Sequence, residues 1–360
     1  MITPFDDYPF HQTSQPFAVT ASGDLNHYDR YFFNGYAEDA SLYFGVALGV
    51  YPNREVVDGA FSVVRDGEQV SVHASARCPL DRTRTSVGPL RVEVVEPMRV
   101  LRVVLDAPQH GLAADLVFRA RTAPIQEPPF LVRDNTRTVL DSTRLTQFGT
   151  WEGFVTVDEH RIDVVDLLGS RDRSWGIRPV GERTHRAPGA PPQFYWLWAP
   201  INFGDVCTHF DVNEYADGTR WHEAGFLVPV GTGSASVATA VNYRIEWTPG
   251  TRRARSFALD LEMPGGEQHT VSLEPLLDFQ MLGLGYLHPD WGHGQWKGEA
   301  AEASERLALP VATPLEPQHL HIQSLCRATF GDRSGIGILE QLVIGPHQPS
   351  GFTGLFDGAP

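Results

Sequence analysis

The chain has 360 residues, 42% hydrophobic and 20% charged, with a formal net charge of −15. That composition belongs to a folded globular protein and excludes a disordered one. The negative balance, with Lys297 the single lysine, excludes nucleic-acid binding along a phosphate backbone, which needs clustered Lys and Arg. Cys78, Cys207 and Cys326 lie far apart with no CxxC or CxxH spacing, so a reducing compartment is expected and a structural zinc site is not. The opening MITPFDDYPFHQ has neither the basic region nor the apolar core of a signal peptide, and no apolar run reaches the length of a bilayer. A cytoplasmic protein without stable membrane insertion is the expectation.

In chain order, Val-rich alternating runs punctuated by Gly and Pro predict many short strands joined by tight turns. After an irregular lead-in over 1–29, strands are expected at 30–36, 41–51 and 55–65. Asp66-Gly67 tolerates the positive φ angles of a type I′ hairpin turn, and the return strand is 69–77. Strands follow at 90–95, 99–106 and 112–122, then a hairpin of 150–157 and 161–168. The stretch GSRDRSWGIR, Gly169 to Arg178, comes directly after that hairpin.

His185 to Pro192, HRAPGAPP, reads as a linker, since Pro and Gly at that density hold neither a helix nor a central strand. The pattern then restarts with strands at 194–200 and 206–215, an Asp217-Gly218 turn, and strands at 219–230, 237–247, 255–262 and 270–277. A second stretch, GYLHPDWGHGQWKGE, runs from Gly285 to Glu299. Each half thus reads as strands, an Asp-Gly hairpin, further strands and a Trp-Gly stretch, a weak internal repeat of roughly 150 residues. Helical periodicity is confined to 300–307, and strands resume at 320–330 and 335–344. The expected fold class is all-β, with little helix and two tandem barrel or sandwich domains over 1–187 and 188–360.

Each Trp-Gly stretch puts a polar residue three places before its Trp: Asp172 before Trp175-Gly176, and His288 before Trp291-Gly292. Asp172 is a general acid if Trp175 gives it an apolar setting that keeps the carboxyl protonated; Arg171, Arg173 or Arg178 beside it would lower its pKa instead. His288 with Asp290 and His293 forms a second acid–base cluster, or caps turns in a Pro-Gly-rich loop. His209, Asp211 and Asn213 share one strand face, and His222 joins them across the hairpin. That face is either solvated exterior or the lining of a ligand cavity. Tyr195, Trp196 and Trp198 either line a pocket for an apolar ligand or pack the core; alternation turns Tyr195 away from the two tryptophans, so at least one of the two sets is expected in the core. His319 and His321 have the H-x-H spacing of some metal sites. No GxSxG, Walker or Rossmann pattern is present.

The hairpin ending in GSRDRSWG, the GHGQWKGE segment and the doubled β layout resemble the hydroxyneurosporene synthase (carotenoid 1,2-hydratase) family, which also takes in AttH-like proteins and the lipocalin-like Diels–Alderases. The likeness covers most of the chain in layout and is specific at the first stretch. Asp172, Trp175 and Gly176 match the Asp-His-Asn-Trp-Gly motif of the hydratases, with Arg173 and Ser174 in place of the His and Asn. The resemblance implies two lipocalin-like β domains, no metal or organic cofactor, and a large apolar substrate.

The resulting expectation is a cofactor-independent lyase or isomerase acting on a hydrophobic terpenoid, steroid, polyketide or aromatic molecule. It would hydrate or dehydrate a double bond, or close a ring. Asp172, His288 and Asp290 are the expected acid–base groups; Trp175, Tyr195, Trp196, Trp198, His209, Asp211, Trp291 and His293 are the expected substrate contacts. The partner is a small hydrophobic molecule and the protein a monomer or homodimer. Two rivals are a non-catalytic hydrophobic-ligand carrier and a metal-dependent hydrolase using His319 and His321.

Overall fold

The computed structural model describes residues 1–9, 11, 14–181 and 192–360. The expected linker, His185–Pro192, lies outside the described residues except for Pro192, as does the division expected at 187/188. In chain order the strands are β1 (His27–Tyr36), β2 (Tyr43–Tyr51), β3 (Val56–Arg65), β4 (Glu68–Arg77), β5 (Ser86–Val87), β6 (Leu90–Glu96), β7 (Val100–Ala107), β8 (Leu112–Ala120), β9 (Ile125–Gln126), β10 (Phe130–Asp134), β11 (Arg137–Val157), β12 (His160–Ile177), β13 (Phe194–Asn202), β14 (Val206–Glu214), β15 (Arg220–Pro229), β16 (Ser236–Val237), β17 (Ala240–Trp247), β18 (Ala254–Glu262), β19 (Gln268–Gln280), β20 (Ala300–Ala308), β21 (His321–Phe330) and β22 (Arg333–Ile344). Helix among the described residues is limited to short 3-10 turns, and none is long and apolar enough to cross a membrane.

The strands form two curled antiparallel sheets, the all-β, lipocalin-like architecture expected. One has the order β20-β4-β3-β2-β1-β12-β11-β8-β7-β6-β5, with β9 and β10 on β11. The other has the order β16-β15-β14-β13-β22-β21-β19-β18-β17. In both, the first strand of the sheet pairs with its last long hairpin strand, β1 with β12 and β13 with β22. The internal repeat is therefore present in the strand order. The described residues of 1–37, 41–184 and 283–307 form one compact unit, and those of 38–40, 185–282 and 308–360 form the other.

Each unit has its own apolar core. Phe33, Phe44, Phe61, Phe118 and Trp151 centre the first, and Phe210, Phe257, Leu259 and Phe330 the second. Full burial of each such side chain stabilises by about 1.5–3 kcal/mol. Strand β2, YFGVALGVY, is buried along its whole length. Phe44, Val46, Leu48 and Val50 face the core, while small residues alternate with Tyr43 and Tyr51 on the outer face. Gly49 is one of these: a Cβ there would lie 2.9 Å from Arg30 Nη1 and closer still to the Tyr51 hydroxyl.

Three expectations are corrected. Ala300–Leu307, read as a helix, is the edge strand β20, exposed and half-buried at alternate residues. Docking on the free edge of β4 outweighs the helix propensity of its Ala and Glu residues. The stretch Gly169–Arg178 does not follow the hairpin but runs down the second half of β12, paired on both sides with β1 and β11. Its run of polar residues resembles a loop in sequence and is tolerated in mid-sheet because its arginines find ion-pair partners there. The second stretch, Gly285–Glu299, is irregular and belongs to the first unit, so it is not the repeat counterpart of the first stretch; that counterpart is β22.

Candidate active site

In the second unit a polar face lies opposite the apolar core. Register places Trp198 of β13 between Asp211 of β14 and Glu340 of β22. It places His222 of β15 against Asn213, and Gln323 of β21 against Glu340. The two carboxylates therefore sit two strand spacings apart, about 9.5 Å between backbones, with an indole between them. The face is buried: His209, Asp211 and Asn213 are 0% exposed and His222 6%.

Asp211 stands between two imidazoles. His222 Nε2 is 3.2 Å from its Oδ1 and His209 Nε2 is 3.6 Å from its Oδ2. Burial pushes the Asp211 carboxyl up, but the two histidines outweigh it and hold the carboxyl well below the usual carboxylate range. An ionised carboxylate at this depth needs a compensating positive charge, so the trio is neutral as a whole when it carries one imidazolium. The rings of Trp198 and Phe226 pack against His209 at 6.0 and 5.8 Å between centroids. At the other side of Trp198, Glu340 accepts from Trp196 Nε1 at 3.1 Å and Gln323 Nε2 at 2.5 Å, and pairs with His321 Nε2 at 2.7 Å.

The first unit carries a different cluster. The segment Gly283–Glu299 lies on the outer face of β1 to β4. Arg30 Nη2 donates to Leu284 O at 3.0 Å, Ser62 Oγ to Gly283 O at 2.7 Å, and Gly294 N to Asp58 Oδ2 at 2.6 Å. Burial raises the Asp58 carboxyl above its ordinary value, and the Arg30 charge offsets only part of that. Glu305 of β20 is 2.9 Å from His73 Nε2 and 3.2 Å from His288 Nε2. Burial would raise its pKa, but the two histidines prevail and bring it down to about 2.

His288 Nδ1 accepts the backbone N–H of both Asp290 and Trp291 at 2.9 Å. Its lone pair is thereby engaged, so the ring proton sits on Nε2 and is donated to Glu305. His73, His288 and Glu305 have the mutual spacing of metal ligands. The tautomer of His288 does not fit that role, since the nitrogen facing Glu305 carries the proton and has no lone pair to give. A recess bordered by Asp58, His73, Trp291 and Lys297 has room for about 10 Å3, one water molecule. An open groove of about 380 Å3 lies elsewhere in this unit, against Val63, Val70 and Val157, with Arg65, Glu68 and His160 at its rim.

The expected site residues fall into separate places. Tyr195 belongs to the core of the second unit, stacked on His347, while Trp196, Trp198, His209 and Asp211 share the buried polar face. In the first unit Asp172 is half-buried and paired in register with Phe32 and Thr146, and Trp175 is stacked on His11 at 3.8 Å. His288 is buried, Asp290 is exposed, and Trp291 stacks on His73 at 5.6 Å. His293 is held at both nitrogens, by Arg178 Nη2 at 3.2 Å and by Leu284 O at 2.9 Å. His319 and His321 do not share a strand face: His319 ends a 3-10 turn and bonds Thr313, while His321 opens β21 and turns to Glu340. Sequence reasoning missed His73, Glu305, Asp58 and Gln323: His73 meets Glu305 and Asp58 meets Gly294 across more than 230 residues, and Gln323 meets Glu340 through the pairing of β21 with β22.

A protein-family model matches residues 2–353. The chain belongs to that family, DUF8625, a family of unknown function. This DUF8625 chain is similar to the crystal structure of kievitone hydratase from Nectria haematococca, at 11% identity and a TM-score of 0.55 over 87% of this chain and 88% of that one. It is also similar to CghA solved with Sch210972, at 14% identity and a TM-score of 0.51 over 95% of both chains. No curated protein sequence matches it. The expected resemblance thus holds as a shared fold with these proteins and does not extend to a hydroxyneurosporene synthase in particular.

Proposed function

We propose that the protein is a cofactor-independent lyase or isomerase that moves a proton on an apolar, conjugated small molecule. The observation that carries this reading is Asp211, kept ionised between His209 and His222 on a buried face beside Trp198. Such a trio stores one transferable proton away from bulk water, and the carboxylate stabilises the imidazolium that holds it. An imidazolium is too weak an acid for an isolated alkene and well matched to an activated one. In a hydration, the imidazolium gives its proton to the α carbon of the conjugated system. Water adds to the β carbon and returns a proton to the vacated imidazole, which restores the trio.

Kievitone hydratase is by its name a hydratase, and that favours addition or loss of water over ring closure. In this reading His288 is a positioning residue, since its ring nitrogens hold the Gly283–Glu299 segment and Glu305. The test is a panel of unsaturated aromatic and polyketide-type ketones in oxygen-18 water, read by mass spectrometry. Label should enter the product with the wild type. Asp211→Asn and His222→Gln should reduce turnover by about 10²–10⁴-fold with ligand affinity retained, while Asp172→Asn leaves it intact. Tight binding without turnover in the wild type would make the protein a carrier and end the catalytic reading.

A further inference from the structure

The curl of the first unit ends in a charged layer below its apolar core. Arg171 and Arg173 of β12 are in register with Phe33 and Tyr31 of β1, both core residues. The guanidinium of Arg173 lies 4.0 Å from the Tyr31 ring centre and that of Arg171 5.8 Å from Phe118. Both arginine side chains are 0% exposed. Two cations at that depth require two anions.

One anion belongs to the wall: Asp29 of β1 sits 2.5 Å from Arg173 Nη1. The other does not. It is Asp7, the last residue of the 3-10 turn Pro4–Asp7, whose buried carboxylate lies 2.5 Å from Arg171 Nη1 and accepts the Met98 N–H. The rest of Arg171 is met by neutral groups, Gln147 Oε1 at 2.9 Å and the Met98 sulfur. Among the described residues, the lead-in before β1 pairs with no strand of the sheet, and residues 6–8 and 11 are tied down by other polar contacts. Tyr31 donates to Asp7 O, and Arg173 to Asp6 O and Tyr8 O. His11 bridges Asp6 and Asp29 and stacks on Trp175.

We propose that the lead-in is a built-in competitor for an anion site at this end of the first unit, and that the site takes an apolar molecule bearing one carboxylate. When the segment lifts, Arg171 is left without an anion among aromatic and apolar walls. A ligand carboxylate restores the lost charge and offers the guanidinium two parallel hydrogen bonds. Asp29 already neutralises Arg173, so the vacancy is one unit of charge, which suits a carboxylate better than a doubly charged phosphate. The ring of the ligand would take up the apolar surroundings of Phe118 and Met98.

The test uses the full chain with Asp7→Ala and follows thermal unfolding as benzoate, benzyl alcohol or inorganic phosphate is added. Asp7→Ala should melt below the wild type. Benzoate should raise its midpoint in a saturable way, with at least tenfold tighter apparent binding than to the wild type. Benzyl alcohol and phosphate should not, and Asp7→Ala/Arg171→Gln should lose the response. If Asp7→Ala does not fold, Asp7→Asn, which keeps the shape and loses the charge, is read the same way. Equal effects of benzoate on wild type and variant, no effect on either, or a response that survives Arg171→Gln would overturn the proposal.

Discussion

The two units share a strand order and each brings two histidines to one carboxylate, yet the two clusters are built differently. In the first, Glu305 is on an edge strand with its side chain a third exposed, and His288 has both ring nitrogens engaged in holding a loop. In the second, Asp211 is fully buried on central strands, and its two imidazoles meet it beside an indole rather than a backbone. Residue types alone do not distinguish a structural pin from the proton store proposed for Asp211. What distinguishes them is the backbone groups around the rings and the depth of the carboxylate.

The sharpest way to break this contrast is a matched pair of variants. Asp211→Asn is expected to lower turnover by about 10²–10⁴-fold in steady-state assays, whereas Glu305→Gln should leave kcat unchanged; equal losses would dissolve the distinction. The next effect is on stability. Arg30→Ala leaves the half-buried Asp58 without its ion pair, and urea unfolding should show a loss approaching about 3 kcal/mol.

His288→Ala comes third. Two backbone N–H groups lose their acceptor, for about 1–3 kcal/mol. Hydrogen exchange should quicken over Gly283–Glu299 and stay unchanged on β14. The smallest effect is a pH dependence. The folded pKa of Glu305, about 2, lies below its ordinary 4.5, so its contribution to stability is complete above pH 4.5 and fades as pH falls toward 2. Glu305→Gln should flatten the wild-type stability curve in that window and leave it alone near neutrality.

Much of the fold is legible in local sequence. Asp66 and Gly67 take the positive φ angles that a type I′ turn requires, and alternation around them fixes which side chains enter the core. The polar face His209-Asp211-Asn213 is legible for the same reason, because a short hairpin sets His222 opposite Asn213. Glu340, Gln323 and His321 join that face only through the pairing of β13 with β22, which links residues some 140 positions apart and leaves no local trace. The strand at Ala300–Ala308 is hidden likewise: its composition suits a helix, and only the vacant edge of β4 makes it a strand. Arg171 and Arg173 imitate a loop because the anions that let them enter a sheet, Asp7 and Asp29, lie more than 140 residues upstream.

The assignment of 283–307 to the first unit has a practical bearing on how this protein is made and handled. A ribosome must translate seven of the nine strands of the second sheet, β13 to β19, before the cover over β1 to β4 emerges. Until then that surface, with Arg30 and Asp58 in it, waits unsealed. A chain truncated after residue 187 should therefore be aggregation-prone, and supplying 283–307 as a separate peptide should rescue its solubility.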